Sequence, residues 1–394
     1  MLWTAFHIAE ILLWILMAAS VAYVAFFAII SLFYEKDDFA TTYAHSLNYR
    51  ERRFLILYPA YNEDSVIYSS VAQFLELDYP TDKFQVVVIS DHMTDDTNQL
   101  LRTLPITVLT PSFEKSSKAK AMQYAIETIE GSFDNVIVLD ADNVVQPDFL
   151  KKLNILCNAG YEVIQCHRCA KNSKGDVAML DGASEEINNT IFRKAHNRLG
   201  LSSALIGSGM CFTYDLFHKN VFQLSTAGED REMEALLLRQ GIFIKYAAEI
   251  HVLDEKVNSK DNFQRQRMRW MTAQVQSLSR QLPQVPSAFI HGNLNFIDKT
   301  IQQALIPRSM LVVLLTLISV LMTLIVPTWS VKWWVLLGLL IISLVIAIPA
   351  QLRSVALFSK VFTIPGLVWR MLKNLMHLDR KNTEFLHTTH NSGD

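Results

Sequence analysis

The chain has 394 residues, of which 36 are basic and 38 acidic, and its formal charge at neutral pH is −2. This balance gives no global basic field, which argues against a nucleic-acid partner. Hydrophobic residues make up 51% of the sequence, which indicates that part of the chain faces lipid.

Three apolar runs are long enough to cross the hydrocarbon core of a membrane. They are Ile11 to Phe33, with 23 residues and no charge, and two runs of 18 residues, Ser309 to Val326 and Trp333 to Ala350. The first run is too long for a signal-peptide core, and Tyr34-Glu35-Lys36 follows it in place of a small-residue cleavage site. We therefore predict a retained N-terminal anchor.

Basic residues beside these runs predict their orientation. The arginines on one side of the predicted membrane are Arg50, Arg52, Arg53, Arg308 and Arg353. By the positive-inside rule the N-terminus lies outside, and the long middle region and the C-terminus are cytoplasmic. We expect the tryptophans around the link between the second and third runs, Trp329, Trp333 and Trp334, to lie in the outer interfacial belt.

Composition and charge divide the chain into five predicted segments. Residues 1–35 form the anchor, 50–260 a cytoplasmic domain, 261–306 a segment of amphipathic interface helices, 307–352 two transmembrane helices, and 353–394 an interface helix with a C-terminal tail. The interface helices are predicted at Asn262 to Leu282 and Ile364 to Leu378.

The cytoplasmic domain alternates short apolar runs with helical patterns, which predicts βαβ units and a mostly parallel sheet. The strands are expected at Phe54 to Leu57, Phe84 to Ile89, Ile106 to Leu109, Val136 to Leu139 and Tyr161 to Ile164. The helices are expected at Asp64 to Leu77, Thr94 to Thr103, Lys118 to Glu130 and Gln146 to Cys157. No glycine-rich fingerprint follows the first strand, which argues against a dinucleotide-binding or Walker-type domain.

Two carboxylates, Asp140 and Asp142, follow the fourth strand. Ligands of open α/β sheets collect at the carboxyl ends of strands, and paired hard oxygens suit Mg²⁺ or Mn²⁺. The alternative is a solvated turn or a helix cap.

Three other positions can each be interpreted either as part of a ligand site or as an ordinary helix cap or surface residue. Asp91 ends the second strand and is suited to accept from a base or a ribose hydroxyl, while Thr94 or Asp95 caps the next helix. Lys118 begins a helix after a polar loop and is placed either near a diphosphate or in solvent. Gly228-Glu229-Asp230 opens Arg231 to Arg239, where the carboxylates either cap that helix or face a substrate hydroxyl as a general base.

Three further motifs also allow two interpretations each. Gly207-Ser208-Gly209-Met210 is either a plain turn or a loop that lets the backbone approach a ligand closely. Cys166-His167-Arg168-Cys169 has metal or redox spacing but no second pair, which favours a structural role. Gln266-Arg267-Met268-Arg269-Trp270 is either a basic helix at anionic lipid or a site where Arg269 neutralises a diphosphate beside the flat face of Trp270.

In order and spacing these motifs resemble those of the membrane-bound family 2 glycosyltransferases, which include cellulose, chitin and hyaluronan synthases. The resemblance runs from Leu55 to Trp270 and implies a GT-A fold of the α/β class with membrane helices on both sides. The tail Phe385-Leu386-His387-Thr388-Thr389-His390 only loosely resembles the gating segment of polymerising members.

The resemblance also implies roles. Nucleotide and donor binding would fall to Pro59, Tyr61, Glu63, Asp91, Lys118, Asp140, Arg267 and Thr388. The metal, Mg²⁺ or Mn²⁺, would lie on Asp140 and Asp142. Gly228-Glu229-Asp230 resembles the T-E-D motif, with glycine in place of threonine, and Q-x-x-R-W is matched in full, so the catalytic set would be Asp230, Glu229, Gln266, Arg269 and Trp270.

The expected reaction is an inverting transfer from a nucleotide sugar, such as a UDP-hexose or UDP-N-acetylhexosamine, to a growing β-linked polysaccharide. Asp230 would act as the general base at the inner face of a bacterial plasma membrane. The rival acceptor is a membrane lipid, and a non-enzymatic nucleotide-sugar scaffold is a third interpretation. Three spanning helices make a narrow conduit, so polymer secretion would require a homodimer or a partner protein.

Overall fold

A computed structural model describes residues 2–44, 49–171, 176–226, 228–255, 260–354, 357 and 359. Within these ranges the side chains of residues 2, 176, 177 and 260–269 are outside the description. The predicted helix at Ile364 to Leu378 and the tail residue Thr388 therefore lie outside the described residues.

A single sheet of eight strands organises the described part of the domain between α1 and α14. The strands are β1 (Phe54–Tyr61), β2 (Phe84–Asp91), β3 (Thr107–Leu109), β4 (Asn135–Val138), β5 (Val144–Val145), β6 (Val163–Ala170), β7 (Met210–Thr213) and β8 (Ile244–Asp254). Their order in the sheet is β3-β2-β1-β4-β7-β6-β8-β5. The pairs β1–β2, β1–β4, β2–β3 and β6–β8 are parallel, while both neighbours of β7 and the pair β5–β8 are antiparallel.

Fifteen α-helices lie in the described ranges. They are α1 (Leu2–Ile30), α2 (Phe39–Ala44), α3 (Ile67–Phe74), α4 (Asp95–Leu101), α5 (Lys118–Thr128), α6 (Phe149–Asn158), α7 (Asp176–Asn189), α8 (His196–Arg198), α9 (Tyr214–Val221), α10 (Glu229–Arg239), α11 (Lys260–Gln281), α12 (Val285–Ile290), α13 (Leu294–Ala304), α14 (Arg308–Ile325) and α15 (Pro327–Ala347). A π-helical turn, Thr190–Ala195, joins α7 to α8.

Both faces of the sheet are covered, which explains why the central strands are continuous apolar runs. On one face, Phe74 of α3 and Phe149 of α6 pack against strand residues such as Ile56. On the other face, Met122 of α5 and Leu237 of α10 belong to a second core. The sheet edge between these layers is the place where the strand ends are exposed to a ligand.

Hydroxyl caps fix where two of these helices begin. The Thr94 hydroxyl accepts from the amide of Thr97 over 3.3 Å at the start of α4. The Ser117 hydroxyl accepts from the amide of Lys120 over 3.2 Å and so places Lys118 at the first position of α5. Each cap satisfies a backbone donor that the helix itself leaves unpaired.

Three helices of the described residues, α1, α14 and α15, are long and apolar enough to cross a membrane. They pack on one another through apolar side chains that include Val21, Leu315 and Leu340. On their outer surfaces, leucines such as Leu12 and Leu324 are exposed. Burial inside the bundle and apolar exposure outside are the pattern of helices surrounded by lipid.

The outer interfacial belt stays a prediction, and the structure shows how its tryptophans are placed in the helix bundle. Only Val326 separates α14 from α15, so Trp329, Lys332 and Trp333 lie within the first turns of α15 and not in a link. Trp333 is fully buried, and its Nε1 donates to Glu10 Oε1 of α1 over 2.6 Å. Lys332 Nζ lies 2.8 Å from the other oxygen of Glu10.

A second polar cluster joins α1 to the domain that contains the sheet. Tyr23 of α1 donates to Asp298 of α13 over 2.7 Å and lies 2.9 Å from Nε2 of His196. The fully buried His196 ring stacks on Phe27, with a centroid distance of 3.8 Å. The domain that contains the sheet is therefore fixed to α1 by side-chain contacts as well as by the chain.

Candidate active site

Two neighbouring strands end in polar residues at one edge of the sheet. Tyr61 at the end of β1 pairs with Asp91 at the end of β2. The chain then takes left-handed φ angles of 54° at Asn62 and 59° at His92. Such angles are uncommon outside glycine and cluster at functional sites. The Asn62 amide donates to the Asp91 carbonyl over 3.2 Å, which joins the two turns.

Asp91 is oriented by the histidine that follows it. Its side chain is buried, and Oδ1 lies 2.6 Å from Nδ1 of His92. The His92 ring in turn lies beside that of Tyr61, with centroids 5.4 Å apart. A fixed carboxylate beside two flat rings is suited to bind a planar base or its ribose.

The loop after β4 is braced by hydrogen bonds. The Asp140 amide donates to Asn143 Oδ1 over 2.9 Å and to Ser208 Oγ over 3.1 Å. Asp142 is buried and accepts from Asn143 Nδ2 over 3.0 Å and from the Glu255 amide over 2.9 Å. Asp140 is more exposed, so the loop presents one carboxylate and buries the other.

Lys118 connects the two ends of the site. Its Nζ donates to Asp140 Oδ1 and, over 2.7 Å, to the carbonyl of Gly207, and it lies 4.0 Å from Glu229 Oε1. The ammonium is largely buried, with 14% of the side chain exposed. One cation thus lies between the carboxylates that follow β4 and those that open α10.

Gly207 brings the loop before β7 against the start of α10. Its φ is +81°, and a Cβ there would lie 3.7 Å from both Asp230 Oδ2 and Glu229 Oε1. Asp230 Oδ1 accepts from the Arg231 amide over 2.8 Å. The second oxygen of Asp230 therefore faces the Gly207 loop beside Lys118.

Comparison with known proteins assigns the sequence to a family. The sequence profile described as glycosyltransferase like family 2 matches residues 52–273, more than half of the chain. The chain belongs to this family. The expected fold class, a mostly parallel α/β sheet of the GT-A type accompanied by helices able to span a membrane, is confirmed.

Individual relatives of this family 2 chain are distant. The poly(ribitol-phosphate) β-N-acetylglucosaminyltransferase TarS of Staphylococcus aureus is 27% identical over 103 residues, which are 25% of this chain and 18% of TarS. The matched segment is thus less than a fifth of the curated relative's length.

Two solved structures also align with this chain. A mannosyltransferase from Pyrobaculum calidifontis, solved with GDP-Man and Mn²⁺, is 19% identical, with a TM-score of 0.48 over 84% of this chain and 99% of that one. A fragment of S. aureus TarS, solved with UDP-GlcNAc, is 15% identical, with a TM-score of 0.43 over 81% and 92% of the two chains.

Negative charge accumulates in the site of this family 2 chain. Burial and the carboxylates of Asp142 and Asp140 raise the pKa of Glu63 to about 8. Burial, then Asp254 and Asp140, raises the pKa of Asp142 well above its ordinary value. Burial also raises the pKa of Glu229 to about 7, although Lys118 opposes the shift.

These charges fit a divalent cation, the cofactor predicted from the sequence. Among the described residues, no group of three or more histidine, cysteine or acidic side chains is arranged to enclose a metal. Asp140 and Asp142 supply hard oxygens with excess negative charge, which suits Mg²⁺ or Mn²⁺ completed by waters and substrate phosphate. The residues present therefore fit an ion that is held jointly with the substrate.

The Q-x-x-R-W motif lies on α11. Trp270 is half-buried, whereas the side chains of Gln266, Arg267 and Arg269 lie outside the described residues. Pro59 lies within β1, two residues before Tyr61. Of the predicted site residues, the structure brings together Glu63, Asp140, Asp142, Lys118, Glu229 and Asp230.

Some residues at the site were not predicted from the sequence. His92 follows a strand end directly and could have been found from that position alone. Ser208 donates to Asn143 Oδ1 and thereby joins the glycine loop to the Asp140 loop. Arg168 of β6 lies 3.9 Å from Asp254, and no local pattern in the sequence points to that contact.

Proposed function

We propose that this chain is a membrane-bound hexosyltransferase that moves a sugar from a nucleotide diphosphate sugar to an acceptor hydroxyl with inversion. The observation that carries the proposal is the position of Lys118 between Asp140 and Glu229. Lys118 thereby connects the donor-binding edge of the sheet with the turn that carries the candidate base. Three apolar helices and the family 2 domain support a location at the membrane.

The donor end uses the strand termini. Asp91 accepts from the base or ribose, and the rings of Tyr61 and His92 flank the nucleoside. Pro59 and Glu63 shape the same edge. Asp140 and Asp142 would hold a divalent metal that neutralises the diphosphate as it leaves. Lys118 adds a fixed positive charge, and Arg267, Arg269, Gln266 and Trp270 are proposed to close this end from α11.

The acceptor end uses the opening turn of α10. Asp230 Oδ1 is engaged by the Arg231 amide, so Oδ2 takes the proton from the attacking hydroxyl. The oxygen then attacks the anomeric carbon from the face opposite the diphosphate. Glu229 is buried beside Lys118 and orients that ammonium, so we assign it positioning and not proton transfer.

A lipid acceptor is favoured over a secreted polysaccharide by the filling of the helix bundle. In the part of the chain that the structure describes, α1, α14 and α15 meet through apolar side chains, and the Glu10–Lys332 pair has a buried carboxylate and a partly exposed ammonium. The interior of the described bundle is thus mostly apolar, which suits a lipid acceptor better than a polar polymer. A polymerising activity would therefore need a second copy or a partner to form a channel. The retained carboxylates of both ends argue against an inactive scaffold.

A donor panel tests the proposal. Purified protein in nanodiscs of bacterial lipid would receive UDP-glucose, UDP-N-acetylglucosamine or GDP-mannose with Mg²⁺ or Mn²⁺, and the organic and aqueous phases would be analysed for glycolipid and polymer. Asp230→Asn should retain donor binding and lose transfer by roughly a hundredfold or more. Asp215→Asn, on the exposed first turn of α9, is the matched control. Normal turnover by Asp230→Asn would refute the assignment of the base.

A further inference from the structure

A cleft lies between α10 and α11, beside the proposed active site. Its volume is about 150 Å³, and three arginines, Arg231, Arg239 and Arg280, contribute to its lining. We call it the arginine cleft. It lies outside the strand-end site, and the donor-binding residues proposed above take no part in it.

The charge of the arginine cleft is positive. Among its described lining residues, Glu232 is the single carboxylate. That carboxylate is already engaged, since it accepts from the amides of Ser225 and Thr226 at 2.8 and 2.9 Å and pairs with Arg280 at 3.0 Å. Arg231 donates to Gln303 Oε1 over 2.6 Å, which fixes its guanidinium, and its charge also acts on the buried Glu234. The two arginines at the open part of the cleft, Arg239 and Arg280, are therefore the ones we test.

The floor of the arginine cleft is apolar. Ala235 and Leu236 of α10, Ala273 of α11 and the buried Phe296 of α13 contribute to it. Guanidinium groups bind phosphate with planar, paired hydrogen bonds, whereas an apolar floor favours carbon chains. The combination matches an anion attached to an apolar or polyol body better than a simple inorganic ion.

The position of the cleft relates it to the acceptor end. Gly228 lines the cleft, and a Cβ there would lie 3.2 Å from Ala273. The next two residues are Glu229 and Asp230. From this point the cleft follows both helices toward Gln284, and the helix just beyond it, α12, exposes Phe289 and Ile290 by 75% and 80%.

We propose that the arginine cleft binds the phosphate of a phosphate-bearing acceptor and so holds its hydroxyl near Asp230. The role as acceptor site rests on the proposed function, whereas phosphate binding does not. The exposed apolar end at α12 favours a lipid as the body that carries the phosphate.

The test measures binding without donor or metal, so it is independent of transfer. The full chain in neutral detergent would be titrated with three probes: dioctanoyl phosphatidic acid, glycerol 3-phosphate, and dioctanoylglycerol. These carry the phosphate with tails, the phosphate alone, and the tails alone. The readouts are the unfolding temperature and the bound mass in native mass spectrometry.

The variants are Arg239→Gln, Arg280→Gln and their double variant, with Arg102→Gln at the exposed end of α4 as the charge-matched control. We expect the double variant to bind phosphatidic acid at least about tenfold more weakly, because each guanidinium–phosphate contact contributes a charge-assisted hydrogen bond. Wild type and Arg102→Gln should bind it equally. Arg239 is exposed, so its single variant will fold even if the double variant does not.

Each outcome either supports or overturns the proposed phosphate site. Glycerol 3-phosphate bound as tightly as phosphatidic acid supports the phosphate site and assigns it to a soluble polyol phosphate. Unchanged binding by the Arg239→Gln and Arg280→Gln variants, or equally tight binding of dioctanoylglycerol, overturns the proposal.

With an active donor, the double variant should raise the KM for the acceptor while kcat and the donor KM stay constant. If binding is arginine-dependent but no sugar is transferred, the proposed function fails and the phosphate site stands.

Discussion

Buried carboxylates have different neighbours at the strand ends and at the helix contacts of this protein. At the strand ends, Glu63 and Asp142 face other carboxylates, and the pKa of each is raised by burial and by those neighbours. At the helix contacts, Glu234 of α10 lies 2.5 Å from Lys299 of α13, and Glu10 of α1 lies 2.8 Å from Lys332.

The difference separates ligand sites from structural contacts. At the helix contacts each of these carboxylates has a cation of its own and serves the fold, whereas at the strand ends Asp140 and Glu229 share Lys118. A cluster of carboxylates that repel one another is costly in the free protein, and a bound cation relieves that cost. The four experiments below address this distinction, beginning with the largest expected effect.

Removing one charge from the strand-end cluster should decrease activity and not stability. We expect Asp142→Asn to lower kcat/KM by about 1000-fold, or about 4 kcal/mol, because a bound metal contributes several kcal/mol to the transition state. The unfolding temperature without metal or donor should change little, since relief of the repulsion from Asp254 and Asp140 offsets the loss of one of the two hydrogen bonds that the carboxylate accepts. A lower unfolding temperature would show that Asp142 is a structural carboxylate. Asp215→Asn should change neither quantity.

Removing one partner of a helix contact should decrease stability and not activity. Glu234→Ala leaves Lys299 buried without its carboxylate and is expected to lower the free energy of unfolding by about 3 kcal/mol. It also removes the oxygen that accepts from the Leu205 amide over 3.1 Å. Denaturant titration gives the value. Pairing Glu234→Gln with Lys299→Met should recover most of the loss, and an unstable double variant would contradict this explanation.

The contact within the helix bundle should contribute less. Glu10→Gln keeps an oxygen for the Trp333 indole but removes the ion pair, and we expect a loss of about 1 kcal/mol. A double-mutant cycle with Lys332→Met in detergent isolates the coupling between the two side chains. No measurable coupling would indicate that the pair is solvated and that α1 and α15 are joined by packing alone.

The smallest effect is a pH dependence. The pKa of Glu229 is raised by burial to about 7, so the folded protein binds this proton more tightly than the unfolded chain does. The resulting stabilisation is fully present below about pH 4.5 and is lost as the pH rises through about 7. We expect the stability difference between wild type and Glu229→Gln to change by about 1 kcal/mol between pH 6 and 7. Parallel unfolding curves at every pH would exclude this titration.

Much of the fold could be predicted because its local signals agree. Strand β2 begins at Phe84 and extends two residues past the predicted end, and β4 lies within one residue of its predicted bounds. Strands β5, β7 and β8 were not predicted, and β5 has only two residues. Met210–Thr213 is too short to show a period, and Ile244–Asp254 alternates imperfectly because its register with β6 shifts between Cys166 and His167.

The candidate site was predictable as a set of motifs and not as a geometry. Asp140 and Lys118 were selected from their positions after a strand and before a helix. Their contact depends on the Gly207 loop, which is distant in sequence and whose backbone conformation a motif does not encode. The arginine cleft shows the same limit, because Arg239 and Arg280 come together only through the packing of α10 on α11.

The single residue between α14 and α15 limits where the bundle can be probed. Val326 alone joins two helices of 18 and 21 residues. A one-residue connector spans only about 3.5 Å, so the end of α14 and the start of α15 are held together. This turn offers no loop for an epitope tag or a protease. Reporters of topology therefore belong elsewhere, for example in the segment that follows α1.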